Sequence, residues 1–327
     1  MRVAVGTYTG DGTDNRIITV TFQPEMVMLR GQPLSGGDGC IKMSAMPANT
    51  CGSLSVVGTF TGIMGPFSAA GFEVDSGESG EVEANVNGTT YHWVAFGIDS
   101  DILEVGSYSG TVSDNRTVTL TNTVLVPKVV ICVGPGGSAG MGIALNSYPL
   151  ADRPGVPVQD ETLTNALQGV TWSPTQIQRF SIGGFEVGDD FNSAGTWYFA
   201  AIAGTGNMAN FTYTGTGVDG LDVVITVNPF QPLYVLLADE TAADAEVVTR
   251  YGGLAGDLSW NRATAAAANL IQAFNTDGFE VGTHADVNTN TRTYHCLCFA
   301  DRPVPPTITY VPPSFPGGAI FVSPESP

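Results

Sequence analysis

The sequence predicts an all-β protein: three tandem antiparallel β-sandwich or jelly-roll-like domains, followed by a proline-rich extended C-terminal arm. Three observations carry this expectation. The composition suits strands and tight turns, one set of markers recurs three times in the same order, and apolar residues near those markers alternate with the period of a strand.

Of the 327 residues, 43% are hydrophobic, which is ample for real cores. Only 13% are charged, against an ordinary share of about 25%. Gly (41), Pro (20) and abundant Thr, Val and Asn fill the space. Long helices draw instead on Ala, Leu, Glu and Lys, so this mixture points to strands joined by turns.

The opening marker is Val5-Gly6-Thr7-Tyr8-Thr9-Gly10. It returns as Val105-Gly106-Ser107-Tyr108-Ser109-Gly110 and, more loosely, as Phe211-Thr212-Tyr213-Thr214-Gly215. Asp14-Asn15-Arg16 and Asp114-Asn115-Arg116 follow the first two and lead into alternating segments at 17–20 and 117–120; the third has Asp219-Gly220-Leu221-Asp222 before 223–227. Apolar runs come next, at 26–29, 129–133 and 233–237, consistent with central strands. Pro24, Pro127 and Pro232 hold the turns that enter them.

The middle marker is tighter. Gly71-Phe72-Glu73-Val74, Gly184-Phe185-Glu186-Val187 and Gly278-Phe279-Glu280-Val281 are identical, and Phe67, Phe180 and Phe274 precede them at one spacing. Met64, Ile177 and Ile271 stand ahead of those phenylalanines, again at one spacing. Chance does not readily place such a motif three times in one chain. Turns such as Val86-Asn87-Gly88-Thr89 then lead into closing strands at 91–96, 197–202 and 294–299. The implied domains are 1–100, 101–204 and 205–301, with the arm at 302–327. One stretch, 263–274, is read as a short helix before the third GFEV.

Net charge is −19, from 31 acidic and 12 basic residues. A surface of that sign repels phosphate backbones and anionic lipid, which argues against direct nucleic-acid or membrane binding. It serves solubility, or attracts a basic partner surface. The start of the chain lacks the apolar stretch of a secretory signal, and no run of about 18 apolar residues suggests a membrane span. Cys40 and Cys51 flank a loop that one bridge would close. Cys296 and Cys298 share a strand face and are poorly placed to bond each other. The odd, sparse set of five, with Cys132, reads as reduced, buried thiols.

Candidate chemistry is thin. His92 and His295 occupy the slot that holds Tyr198 in the second copy, so strand packing explains them better than catalysis. The run Gly134-Pro135-Gly136-Gly137-Ser138-Ala139-Gly140 satisfies G-x-S-x-G at Ser138, but that motif needs a following helix, and 141–149 is glycine-broken and ends in proline. Cys296 and Cys298 beside His295 lack a second ligand pair for zinc. Gly188-Asp189-Asp190-Phe191-Asn192 lacks the spacing and closing Glu of a calcium loop and reads as a polar turn. No catalytic residue, metal or cofactor is expected.

In its GFEV and closing-strand markers, clearest from Asp277 through Val287-Asn288 to Tyr294-His295, the sequence resembles a repeat of tailed-phage virion proteins. The Gly6–Arg16 opening resembles modules of the same kind. The second copy departs, with Trp197-Tyr198 in place of Tyr-His and a shortened hairpin. The resemblance spans all three copies but not the arm, and implies a virion location and a capsid-decorating, fibre or tail-associated role.

The expected function is therefore a non-enzymatic virion structural protein that decorates and stabilises a capsid, assembling with other virion proteins. The alternative is a receptor-binding fibre or tail-associated adhesin, with Trp172 or Trp260 on contact loops unless they pack the core. A serine hydrolase using Ser138 is a distant third. Partner contact is assigned to the arm, through Tyr310, Phe315, Ile320 and Phe321, whose apolar side chains interrupt its prolines.

Overall fold

A computed structural model describes residues 1–32, 39–54, 58–79, 82–97, 102–135, 141–145, 162–164, 177–204, 206–239, 247–261 and 266–301. Tyr310, Phe315, Ile320, Phe321, Ser138 and Trp172 lie outside them. More than half of the described residues are strand, in antiparallel sheets, with almost no helix, and the all-β expectation holds.

The same wiring occurs three times. The opening strands (Arg2–Thr9, Leu103–Ser109, Met208–Thr214) pair with the closing strands (Thr90–Gly97, Thr196–Ala203, Thr293–Phe299). The closing strands also pair with the central strands (Pro24–Gln32, Pro127–Val133, Tyr234–Asp239). A fourth strand follows in each main sheet, at Cys40–Met43, Met141–Leu145 and Val247–Tyr251. Over this main sheet lies a small one, in which each GFEV strand is central. Its flanks are Arg16–Thr19 and Met64–Ser68 in the first repeat, Arg116–Thr119 and Ile177–Ser181 in the second, Leu221–Val224 and Ile271–Asn275 in the third.

GFEV is invariant because each letter has a separate task. The phenylalanine and valine point inward and are fully buried, while the glutamate stands on the outer face. Gly71 adopts φ 136°, and a side chain there would strike the Ile18 carbonyl. Gly278 meets the Val223 carbonyl in the same way.

Each repeat has a sandwich core between its two sheets, built in the first around Phe72, Val27, Leu29, Trp93 and Ala95. The apolar runs of the central strands do not alternate because their opposite faces are buried too. Met26, Met28, Val94 and Phe96 of the first repeat, Val129, Ile131, Ala200 and Ile202 of the second, and Tyr234, Leu236, Leu297 and Phe299 of the third line one shared core. Cross-strand registers make these residues equivalent: Met26↔Phe96, Val129↔Ile202 and Tyr234↔Phe299 form one layer. Met28↔Val94, Ile131↔Ala200 and Leu236↔Leu297 form the next. The three sheets thus surround a common axis in an approximate threefold arrangement.

The contacts between repeats run head to tail. Gly52 of the first abuts Val133 of the second. Trp260 of the third lies beside Arg30 of the first, and Arg30 and Val133 hold the same register position in their sheets. Asn210 of the third donates to the Lys128 carbonyl of the second at 3.4 Å. The ends of the repeated region are clasped: Asn207 donates to the carbonyls of Met1 (2.9 Å) and Ala300 (2.8 Å), and the Val3 amide donates to Asp301 (3.0 Å).

Of the helix expected over 263–274, the described part, 266–274, is not helical. Ile271–Asn275 is a strand paired with GFEV, and Ser259 bridges to Ala267. The carbonyls a helix would use are taken elsewhere. The Asn269 carbonyl accepts from His284, the Leu270 carbonyl from Gly282, and the Ile271 carbonyl from Arg250 and Ser259. Among the described residues the one α-helical turn is Ala285–Asn288, ahead of the third closing strand. No helix of the described residues is long and apolar enough to cross a membrane.

Candidate functional site

The recurring markers converge at one end of each sandwich, where they brace a turn that reaches into solvent. Tyr8, Tyr108 and Tyr213 of the opening strands stack on Tyr91, Trp197 and Tyr294 directly across the sheet, at 5.1, 6.4 and 5.2 Å between centroids. Each of the three hydroxyls donates to a backbone carbonyl: Ala84 for Tyr8, Phe191 for Tyr108 (2.6 Å) and Val287 for Tyr213 (2.5 Å). Burial pushes all three phenols well above their usual range.

The residue after each of those carbonyls is a buried asparagine. Asn85 donates to the Thr13 carbonyl (2.7 Å) and to Asp11 (2.9 Å), and accepts from the Asp11 amide (3.2 Å) and Arg16 (3.1 Å). Asn192 donates to the Ser113 carbonyl (2.6 Å) and accepts from the Thr111 amide (3.0 Å) and Arg116 (2.9 Å). Asn288 donates to the Val218 carbonyl (2.6 Å) and accepts from the Thr216 amide (2.7 Å). These amides staple the opening turn to the segment that enters the closing strand. Sequence reasoning missed them because their distance from GFEV varies. The available signal was an asparagine just ahead of each closing aromatic.

The braced turns are exposed at 11–15, 111–115 and 216–220 and rich in acids and small polar residues. Asp11 is held down to about 2 by its bonds to Thr13 and Asn85, and Ser76 lowers Asp14. Their cationic neighbours are turned inward. Arg16 and Arg116 each donate to the carbonyl that closes their opening strand and stack over Tyr8 and Tyr108 at 5.2 Å. Lys42 donates to the Thr50 carbonyl (2.7 Å), and Arg250 to those of Ile271 (3.0 Å), Gly256 (2.8 Å) and Leu258. In the second repeat the turn carries Val112, 69% exposed at φ 60°, where the first and third have Gly12 and Gly217 at φ 71° and 72°.

No protein-family model matches the chain, and no curated protein matches it. What can be said of the site therefore comes from its own geometry.

The residues singled out for chemistry are dispersed. Ser138 lies outside the described residues, but Met141–Leu145, where a nucleophile elbow requires a helix, is a strand paired with Pro127–Val133. Asp190–Asn192 is a short 3-10 turn capped by Asp189, and Asn192 is taken by the brace. Among the described residues no group of three or more His, Cys, Asp and Glu is placed to hold a metal ion. All five cysteines are buried free thiols, and burial raises Cys132, Cys296 and Cys298. Cys40 and Cys51 flank the 44–49 connection as expected, on adjacent strands, with their thiols in contact but unbonded. Trp260 is no loop contact. It is fully buried in the shared core against Tyr251, at 5.5 Å.

His92, Tyr198 and His295 occupy equivalent positions, as their sequence slot implied, and form the third layer of the axis. Their cross-strand partners are Arg30, Val133 and Ala238. This layer is where the apolar axis turns polar.

Proposed function

We propose that the chain is a non-enzymatic structural protein of a tailed-phage virion that decorates and stabilises the capsid. The observation that carries this reading is the use made of the repeated side chains. The tyrosines, asparagines and arginines that define the repeat hold its turns in place, so each repeat offers its surroundings a braced, exposed turn. Such a unit presents surface.

Two further features support it. Three units fixed about one core give a rigid body with several copies of the same contact element, which suits attachment to a repeating lattice. Basic side chains bonded inward to carbonyls leave the outward face dominated by acids, suited to a basic partner. The likeness of the GFEV and closing-strand markers to virion repeats points the same way.

Quantitative mass spectrometry of purified particles tests the proposal. A decorating protein appears at a stoichiometry comparable to the main shell protein. A small fraction of that number, with binding of the isolated chain to host cells or glycans, would move the assignment to an adhesive fibre. Absence from purified particles would end both.

A further inference from the structure

We propose that the seam between the first and third repeats is an acid-operated latch, closed while His92 is neutral and released when it is protonated, with the three sandwiches remaining folded.

The geometry of the seam leads there. His92 stands on the closing strand of the first repeat, 5% exposed, and faces the axis. Its direct cross-strand partner is Arg30, itself 1% exposed; on the other side it pairs with Thr7. From the third repeat, Trp260 packs edge-on against the imidazole at 5.1 Å and lies 5.8 Å from the Arg30 guanidinium. Thr249 is the cross-strand neighbour of Trp260, and Tyr251 packs against its ring. Among the described residues, the groups around His92 are thus the Arg30 guanidinium, threonine hydroxyls and an aromatic wall. Among the described residues no carboxylate acts on it, and burial alone holds its imidazole down at about 4.

The seam is also short of hydrogen bonds. His92 Nδ1, Trp260 Nε1 and Thr249 Oγ1 are all buried without a partner among the described residues. Apolar contact carries the closure, as between Phe96 and Phe299 at 4.9 Å and between Val5 and Gly252. A proton on His92 places a charge in this dry site and adds a donor with no acceptor facing it among the described residues. Opening the seam hydrates the imidazolium while each sandwich keeps its own core. The other seams lack the pairing. Val133 meets Gly52 between the first and second repeats, and His295 stands opposite Ala238. The inference does not depend on the virion assignment.

Fluorine NMR of the full chain labelled with fluorotryptophan reads the seam directly, the Trp260 signal being assigned with Trp260→Phe. Lowering the pH from 7.5 to 4 should shift the Trp260 resonance to a solvent-exposed position, with its midpoint between 6.5 and 4. Trp93 and Trp197, inside their own sandwiches, should hold still. The shift should vanish in His92→Gln and persist in His295→Gln. An oxidised Val5→Cys/Gly252→Cys pair should also abolish it, and reduction restore it, which keeps the test sound if His92→Gln fails to fold. An unmoved Trp260 signal, an unchanged transition in His92→Gln, or simultaneous collapse of all the resonances would overturn the latch.

Discussion

Asn192 shows how much of the fold one side chain can hold. It is fully buried, and its amide joins the turn at 111–113 to the chain ahead of Trp197. Asn192→Ala leaves the Ser113 carbonyl and the Thr111 amide without their partner and should cost roughly 3 kcal/mol in urea unfolding. Val112 presents the opposite case. A β-branched residue at φ 60° carries strain of about 1–3 kcal/mol, while glycine forfeits about 0.5–1 kcal/mol of chain entropy. Val112→Gly, which restores what the other repeats have, should therefore raise stability by about 1 kcal/mol. His92 makes the pH dependence legible. Its proton is held more weakly in the folded chain than in the unfolded one, so between pH 6.5 and about 4 the unfolded chain binds more protons. The full stability is present above 6.5, and up to about 3 kcal/mol is lost as pH falls through that window. His92→Gln should flatten this slope in urea titrations at successive pH values. Asp11 and Asp14 act lower, where acid protonates the carboxylates that their hydrogen bonds hold ionised.

Among the elements, the segment before the third GFEV is the instructive one. Its alanines favour a helix, and local propensity is what the sequence displays. The carbonyl traps supplied by Arg250, Ser259, Gly282 and His284 come from elsewhere in the chain and leave no local trace. Arg250→Leu removes donors to several carbonyls at once. It should destabilise the third repeat by roughly 3 kcal/mol, seen as a lower melting temperature. Where the signal was local it read well: GFEV, the opening tyrosines and the prolines before the central strands all mark the elements they suggested. The doubly buried central strands were visible as unbroken apolar runs, but not what covers their second face. The turn braces were half visible, in the Asp-Asn-Arg segments though not in the asparagines that hold them.

At the scale of the whole molecule, the shared axis was the feature the sequence kept hidden. Repeats can be counted from their markers, yet strings of beads and closed rings have the same markers. The difference lies in Met28, Ile131 and Leu236, which any sandwich would tolerate on a covered face. The same closure explains why Trp260, a candidate surface contact by sequence, lies in the core, and why a polar layer with Arg30 and His92 sits at one end of it. The proposed virion role would use such a three-part body as a repeated contact unit. Disulfide trapping between Gly52→Cys and Val133→Cys tests this closure most directly, because these residues meet only if the first two repeats pack against each other. A ring predicts rapid, near-complete cross-linking within each chain, with the melting temperature kept or raised. Independent beads predict little or no such bond under the same oxidant, and that result would contradict the account.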